Sequence, residues 1–344
     1  MVQWYLTAPL NRKQTESIYE ILPGTPVAVW AEDMHAKGLL GRPLLFRILL
    51  RLTQQGPSIQ AGEYALEKDL TPLDWLGKLT KGHVLLHRFT IVEGWTAKQL
   101  LTQLAGLEKM QHSLANQSVQ AVAATLNLSR PLEGQFFPNT YYYAKGDTDI
   151  TLLMRAHLLL QTHLQKAWES RAVGLPYQTP YEALVMGSLI ERETAAPEER
   201  AEIAGVLVHR LQKGMKLQVD PTVIYALGDT YQGHLTKKNM RVKSPFNTYL
   251  HPGLPPTPIA MVGEASLLAA MHPVLSDKLY YVANGKGRHT FSATLKAHRK
   301  AIVVTTIPVT PALSRGLHGL PRHNTEIPAQ GRNDKLNNKD NKSS

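Results

Sequence analysis

The sequence predicts an α+β fold, a small βααβ module followed by a mixed α+β domain, and three observations carry that expectation. Between Ser17 and Leu66 the order of segments reads strand, helix, helix, strand. From Val84 onward, helical and strand periodicities alternate again without internal repeat. At 344 residues and 43% hydrophobic content, the chain can fill the cores of two ordinary domains.

Each element has a local reason. "SIYEIL" (17–22) reads as a strand, "TPVAVWAEDMHAKGLL" as a helix entered at Thr25-Pro26, and "PLLFRILLRLTQ" (43–54) as a second helix. "AGEYAL" (61–66) is the second strand, and "TPLDWLGKLTKG" a helix opening on Thr71-Pro72 and closing at Gly82. Beyond it, "VLLHRFTIV" (84–92) is a strand, "TAKQLLTQLAGL" (96–107) a helix, and "LEGQFFPNTYYYAKGDTD" (132–149) an aromatic loop. "TLLMRAHLLLQTHLQKAWESRA" (151–172) has the pattern of a long amphipathic helix. "YYVANGKGRHTFS" (280–292) reads as two short strands around an Asn284-Gly285 turn. The proline-fixed stretches "KLQVDPTVIYALGD" (216–229) and "SPFNTYLHPGLPPTPIA" (244–260) are expected to be loops lining a cleft. The boundaries that result are an N-terminal segment 1–13, the βααβ module 14–82, a larger domain 83–303 and a disordered tail 304–344.

Composition narrows the chemistry. Lys and Arg number 38 against 27 Asp and Glu, a net charge of +11 that suits an acidic polymer: nucleic acid, an anionic membrane surface or an acidic cell-wall glycan. No nucleic-acid-binding motif is present. The absence of cysteine removes disulfides, thiolate nucleophiles and Cys-ligated metals. His83 and His87 have the spacing of helical zinc ligands, but along a strand four residues span about 13 Å, so neither a metal nor a cofactor is expected. The most apolar stretch, "PLLFRILLRL", is interrupted by Arg47 and Arg51 and is too short to span a bilayer, so the chain as written reads as soluble.

The chemistry-bearing segment is "SLIERETAAPEER" (188–200). It ends a helix that Thr179 caps, with Pro180 at its first position and Glu182 completing a capping box, and Ala196-Pro197 stops it. The following helix has Glu198 and Glu199 in its first turn and Gly214 as its stop. Taking Leu184 as zero at about 100° per residue, the apolar face centres near 170°, with Glu193 at roughly 180° and Glu191 at roughly 340°. Glu193 therefore continues the buried face and Glu191 points away from it. Desolvation raises a carboxyl's pKa, and an acid that keeps its proton near neutral pH can protonate a leaving group.

Around it, Gln218, Asp220 and Asn247 offer hydrogen bonds suited to sugar hydroxyls, and Tyr225, Phe246 and Tyr249 offer stacking faces. Glu133 and the aromatic residues of "LEGQFFPNTYYY" add a second candidate platform, and His289 in "GKGRHTFS" is a candidate site residue.

"VEGWT" (92–96), "LEGQFFPNTYYY", "SLIERETAAPEER", "RLQKGMKLQVDPTVIYALG", "FNTYLHPGLPPTPIA" and "YYVANGKGRHTFSATLKAH", in this order, resemble the endolytic murein transglycosylase (YceG-like) family. The resemblance implies that the second Glu of an E-R-E-T motif, here Glu193, is the catalytic acid and base, with Glu191 the fallback. It implies cleavage of the β-1,4 bond between N-acetylmuramic acid and N-acetylglucosamine in nascent peptidoglycan, with 1,6-anhydro products. It also implies a LysM-like character for the βααβ module and peptidoglycan synthases (penicillin-binding proteins) as partners. The inner membrane, at its periplasmic face, is the implied location, although the family's membrane-anchoring helix is missing here. A non-catalytic glycan-binding protein and a hydrolytic muramidase stand as alternatives, the latter because Asp220 offers a second carboxylate.

Overall fold

The computed structural model describes residues 2–10, 18–53 and 59–306, which form two compact units. The tail expected to be disordered lies, from residue 307, outside the described residues.

The first unit comprises residues up to 90 together with 103–115 and 140–152. It holds α1 (Val2–Thr7), β1 (Ile18–Ile21), α2 (Val27–Ala36), α3 (Pro43–Leu52), β2 (Gly62–Ala65), α4 (Pro72–Lys81), β3 (Leu86–Thr90) and β4 (Thr140–Ala144). β1 and β2 pair antiparallel from Ile18↔Ala65 to Ile21↔Gly62, which gives the expected βααβ order. α3 buries Phe46 and Leu50 and leaves Arg47 and Arg51 exposed, so the arginines that break its hydropathy define its wet face. In α4 the Thr71 and Asp74 side chains cap reciprocally, and Gly82 ends the helix in the left-handed conformation. Trp30, Phe46, Tyr64, Trp75 and Leu79 anchor the core, with Tyr64 edge-on to Trp75 at 5.3 Å between ring centres.

One expectation is corrected here. The stretch 132–149 is not loop throughout, because Thr140–Ala144 forms β4, antiparallel to β3 with Arg88 opposite Tyr142. Tyr141 and Tyr143 turn inward and Tyr142 outward, the alternation that aromatic strand formers favour. His87 on β3 hydrogen bonds through Nε2 to Glu63 Oε2 at 2.8 Å, and Lys109 Nζ meets Glu63 Oε1 at 2.7 Å.

The second unit comprises 91–102, 116–139 and the chain from 153. Its elements are most of α5 (Ala97–Ala105), α6 (Val119–Thr125), most of α7 (Asp149–Glu169), α8 (Pro180–Glu193), α9 (Arg200–Gln212), α10 (Asp220–Leu227), α11 (Glu264–Met271), β5 (Tyr280–Ala283), β6 (His289–Ser292) and α12 (Leu295–Thr306). α8 is the axis of this core. Every residue from Ala183 to Ile190 is buried, with α9, α10 and α11 packed around it. A Cβ at Gly205 of α9 would stand 2.0 Å from the Val274 carbonyl oxygen, so only glycine permits that approach.

A second correction concerns 216–229. Asp220–Leu227 is a helix, opened by Pro221 in its first turn and followed by Gly228, so the proline starts an element instead of fixing a loop. The stretch 244–260 contains neither helix nor strand.

Candidate active site

α8 begins at Thr179, whose hydroxyl accepts from Glu182 N–H at 3.2 Å. The Glu182 carboxylate accepts from the Gln178 N–H, one residue beyond the expected reciprocal cap. Thr194, with φ −141° and ψ 139°, ends the helix, and a 3-10 turn over Pro197–Glu199 leads into α9. Glu191, Arg192 and Glu193 thus share the last helical turn, and the fold treats each differently.

Glu191 is not at the surface, where the helical wheel places it. Its side chain is 5% exposed, Oε2 accepts from Gly263 N–H at 3.0 Å and Oε1 lies 3.4 Å from Arg200 Nη2. Burial raises its pKa, aided by the nearby Glu93, while the Gly263 N–H, Ser266 and Arg200 pull it back. Arg192 is exposed and donates to the Gly94 carbonyl at 3.1 Å, tying α8 to "VEGWT".

Glu193 has a different environment. Its Oε1 is enclosed and has no hydrogen-bond partner among the described residues. Burial, then the neighbouring Asp220 carboxylate, pushes its pKa up to about 8, against the pull of the Tyr281 hydroxyl and the Arg210 guanidinium. The Tyr281 hydroxyl is itself buried without a formed hydrogen bond. Asp220, at the start of α10, is also raised by burial, but it accepts a hydrogen bond from the Tyr249 hydroxyl. Of the two coupled carboxyls, Asp220 is therefore better equipped to be the anion and Glu193 to hold the proton. Burial raises both the Tyr249 and Tyr281 hydroxyls well above the usual phenol value, so both remain donors.

The supporting residues act through this group. Arg210 is fully buried, with Nε donating to Leu279 O at 2.7 Å and Nη1 to Leu217 O at 2.8 Å and Gln218 Oε1 at 3.2 Å. Gln218, at φ 54°, thereby holds the chain just before α10. Asn247 gives its amide to the Met240 and Val242 carbonyls at 3.1 and 2.9 Å and accepts from Tyr249 N–H at 3.0 Å, so its hydrogen bonds fix the loop that carries Tyr249. His289 bonds Glu199 twice, through its N–H at 2.9 Å and Nδ1 at 2.8 Å, and lies edge-on to Tyr281 at 5.4 Å. Burial acts to raise the Glu199 carboxyl, but those bonds outweigh it and hold the carboxyl below its ordinary value.

Glu133 forms a separate node. Oε1 accepts from Ala97 N–H at the start of α5 at 2.8 Å, and Oε2 from the Tyr225 hydroxyl at 3.1 Å. Burial pushes its pKa up to about 7, with those donors and the Gly134 N–H pulling back. Gly134 is required beside it, since φ is +73° and a Cβ would come 2.5 Å from Pro258 Cβ. Tyr225 packs against Phe246 at 4.8 Å.

Arg210 and Tyr281 were not foreseen as site residues. The available signals were an arginine ending the apolar run "GVLVHR" and the inward position of Tyr281 in a strand flanked by Tyr280 and Val282.

The YceG-like family model matches residues 19–303, a span that includes every site residue described above. The chain belongs to the YceG-like family. It is 34% identical over 315 residues to the endolytic murein transglycosylase of Bacillus subtilis, covering 86% of this chain and 87% of that protein. It is 28% identical over 294 residues to the endolytic murein transglycosylase of Streptococcus pneumoniae strain D39, covering 76% of this chain and 53% of the pneumococcal protein. A crystal structure of a YceG-like protein from Listeria monocytogenes superposes with a TM-score of 0.51 at 28% identity, over 82% of this chain and 98% of that one. The YceG-like match runs through both compact units.

Proposed function

We propose that the chain is an endolytic lytic transglycosylase that cuts the β-1,4 bond between N-acetylmuramic acid and N-acetylglucosamine in nascent peptidoglycan and so terminates strand elongation. The observation that carries this reading is the Glu193 carboxyl, whose Oε1 is enclosed without a hydrogen-bond partner and whose pKa is pushed up to about 8, beside the hydrogen-bonded Asp220. The names of the relatives support the same activity.

In this reading neutral Glu193 gives its proton to the glycosidic oxygen as the bond from C1 breaks. Anionic Asp220 stabilises the positive charge that develops at the sugar. The Glu193 carboxylate then takes the proton of the muramic acid 6-hydroxyl as O6 closes on C1, which yields the 1,6-anhydro ring and restores the acid. Water is not consumed, and no carboxylate need act as nucleophile. A hydrolytic muramidase is the second reading, because Asp220 is a candidate base for water. The βααβ module is read as LysM-like and glycan-binding, the location as the periplasmic face of the inner membrane, and peptidoglycan synthases as partners. Among the described residues no helix is long and apolar enough to cross a membrane.

Mass spectrometry of polymeric peptidoglycan treated with the parent or with Glu193→Gln tests this. New 1,6-anhydro ends from the parent alone support the proposal. Ordinary reducing ends identify a hydrolase, and no cleavage by the parent sinks the enzyme reading.

A further inference from the structure

At the opposite end of α8 from Glu193 lies a cavity of about 550 Å³, lined by Arg130, Tyr181, Val185, Leu211, Leu254 and Pro255 among others. Its lining mixes aliphatic, proline and aromatic side chains with Gln178, Thr179 and Glu182, whose carboxylate is engaged by the Gln178 N–H, and two further polar groups in it lack hydrogen-bond or ion-pair partners. Arg130 holds its guanidinium 4.5 Å from the centre of the Tyr181 ring and has no carboxylate within ion-pair distance among the described residues. The Tyr181 hydroxyl is enclosed without a hydrogen-bond partner. An aromatic face topped by a free guanidinium and a free hydroxyl suits a pyranose that carries a carboxylate, with the ring stacked and the anion paired.

Half-buried aromatic residues lie between the cavity and the helix that carries Asp220. The Tyr181 hydroxyl is close enough to that of Tyr225 for the two to interact electrostatically. Tyr225 packs on Phe246 and stands on α10, the helix that begins with Asp220. Twelve residues separate Tyr181 from Glu193 on α8, which puts the two ends of the helix about 18 Å apart.

We propose that this cavity is a distal subsite for the same glycan strand and takes a carboxylate-bearing saccharide unit. Tyr181 stacks on the sugar, and Arg130 pairs with the carboxylate of its lactyl or peptide substituent. A strand anchored there presents Glu193 with a bond several sugars away, which makes the cut internal. The proposal rests on the transglycosylase reading for its choice of ligand.

The test is equilibrium binding to Glu193→Gln protein, which measures occupancy independently of turnover. The probes are muropeptide-bearing strands, chitin oligomers of equal length that carry no carboxylate, and free stem peptide. Arg130→Gln in that background is expected to weaken strand binding about tenfold, the worth of one charge-assisted hydrogen bond, and to leave chitin binding unchanged. Tyr181→Phe is expected to weaken both saccharides by a smaller factor. Equal losses on strand and chitin from Arg130→Gln, or no loss on either, overturn the subsite. Free peptide competing as well as the strand also overturns it, since the occupant is then a peptide. Failure of the parent to cleave, with the Arg130 effect intact, counts against the enzyme reading and leaves the subsite standing.

Discussion

Glu193→Gln is expected to end turnover and, in the same molecule, to remove a pH dependence from folding stability. The carboxyl has a pKa near 4.5 in the unfolded chain and about 8 in the folded one. Between those values the folded protein keeps a proton that the unfolded chain has released, so stability is full below about pH 4.5 and declines by about 1.36 kcal/mol per pH unit up to about 8. At pH 7 the loss is (7 − 4.5) × 1.36, about 3.4 kcal/mol. Glutamine has the same shape and no such titration, but its amide N–H groups enter an enclosed site and cost about 1–3 kcal/mol. The absolute stabilities of parent and variant at pH 7 can therefore lie close together, and the slope is what discriminates. Urea unfolding from pH 5 to 7 should show the parent losing about one proton's worth of stability per pH unit relative to the variant. Glu133 and Asp220 are present in both proteins, so their contributions largely cancel in the difference. Parallel curves for parent and variant would refute a buried, protonated Glu193, and retained anhydro product would refute its role as acid.

Asp220→Asn removes the charge that, after burial, helps raise Glu193, so the alkaline limb of the pH–rate profile should move to the acid side; an unmoved limb would disconnect the two carboxyls. Glu199 is held below its ordinary value, so it stabilises the fold above that ordinary value and loses this effect as pH falls. Glu199→Gln should therefore lower stability in urea unfolding at pH 7 and do so less near pH 3, and an equal loss at both would refute the shift. Gly134→Ala combines a φ of +73° with a Cβ 2.5 Å from Pro258, and a loss of at least about 1–3 kcal/mol is expected by thermal denaturation; unchanged stability would mean that the Pro258 segment yields freely.

The βααβ order and the helix after it were legible because their signals are local. Thr71-Pro72 with Asp74, Gly82, and the alternation of buried and wet residues in α3 each specify one element within a few residues. β4 was missed because its reason is non-local. Thr140–Ala144 sits among prolines and glycines that suggest a loop, and its partner β3 lies about fifty residues earlier. α10 was missed because Asp220-Pro221 is as good a turn as a helix start, and only its packing against α8 decides between them. α11 was not foreseen either: "EASLLAAM" is buried on most sides and lacks the polar face by which a helix shows in sequence.

The proposal of Glu193 over Glu191 rests on a different reason from the one the helical wheel supplies. The helical wheel separates the two carboxyls as buried and exposed, but α8 is enclosed on all sides from Ala183 to Ile190, and Glu191 is buried as well. Depth therefore does not distinguish them; partners do. Glu191 has a backbone donor on one oxygen and an arginine near the other, the arrangement of a carboxyl that holds the α11 start and α9 in place. Glu193 has an unpartnered oxygen, a second carboxyl that repels its anion, and two tyrosine donors close by. A buried polar atom without a partner costs about 1–3 kcal/mol. In the proposed reaction a substrate oxygen would relieve that cost at Glu193, whereas Glu191, two residues earlier, is already satisfied. The sequence could place Glu193 on the inner side of a helix, but the partners that set it apart, Asp220, Arg210 and Tyr281, come from three elements that meet only in the folded chain.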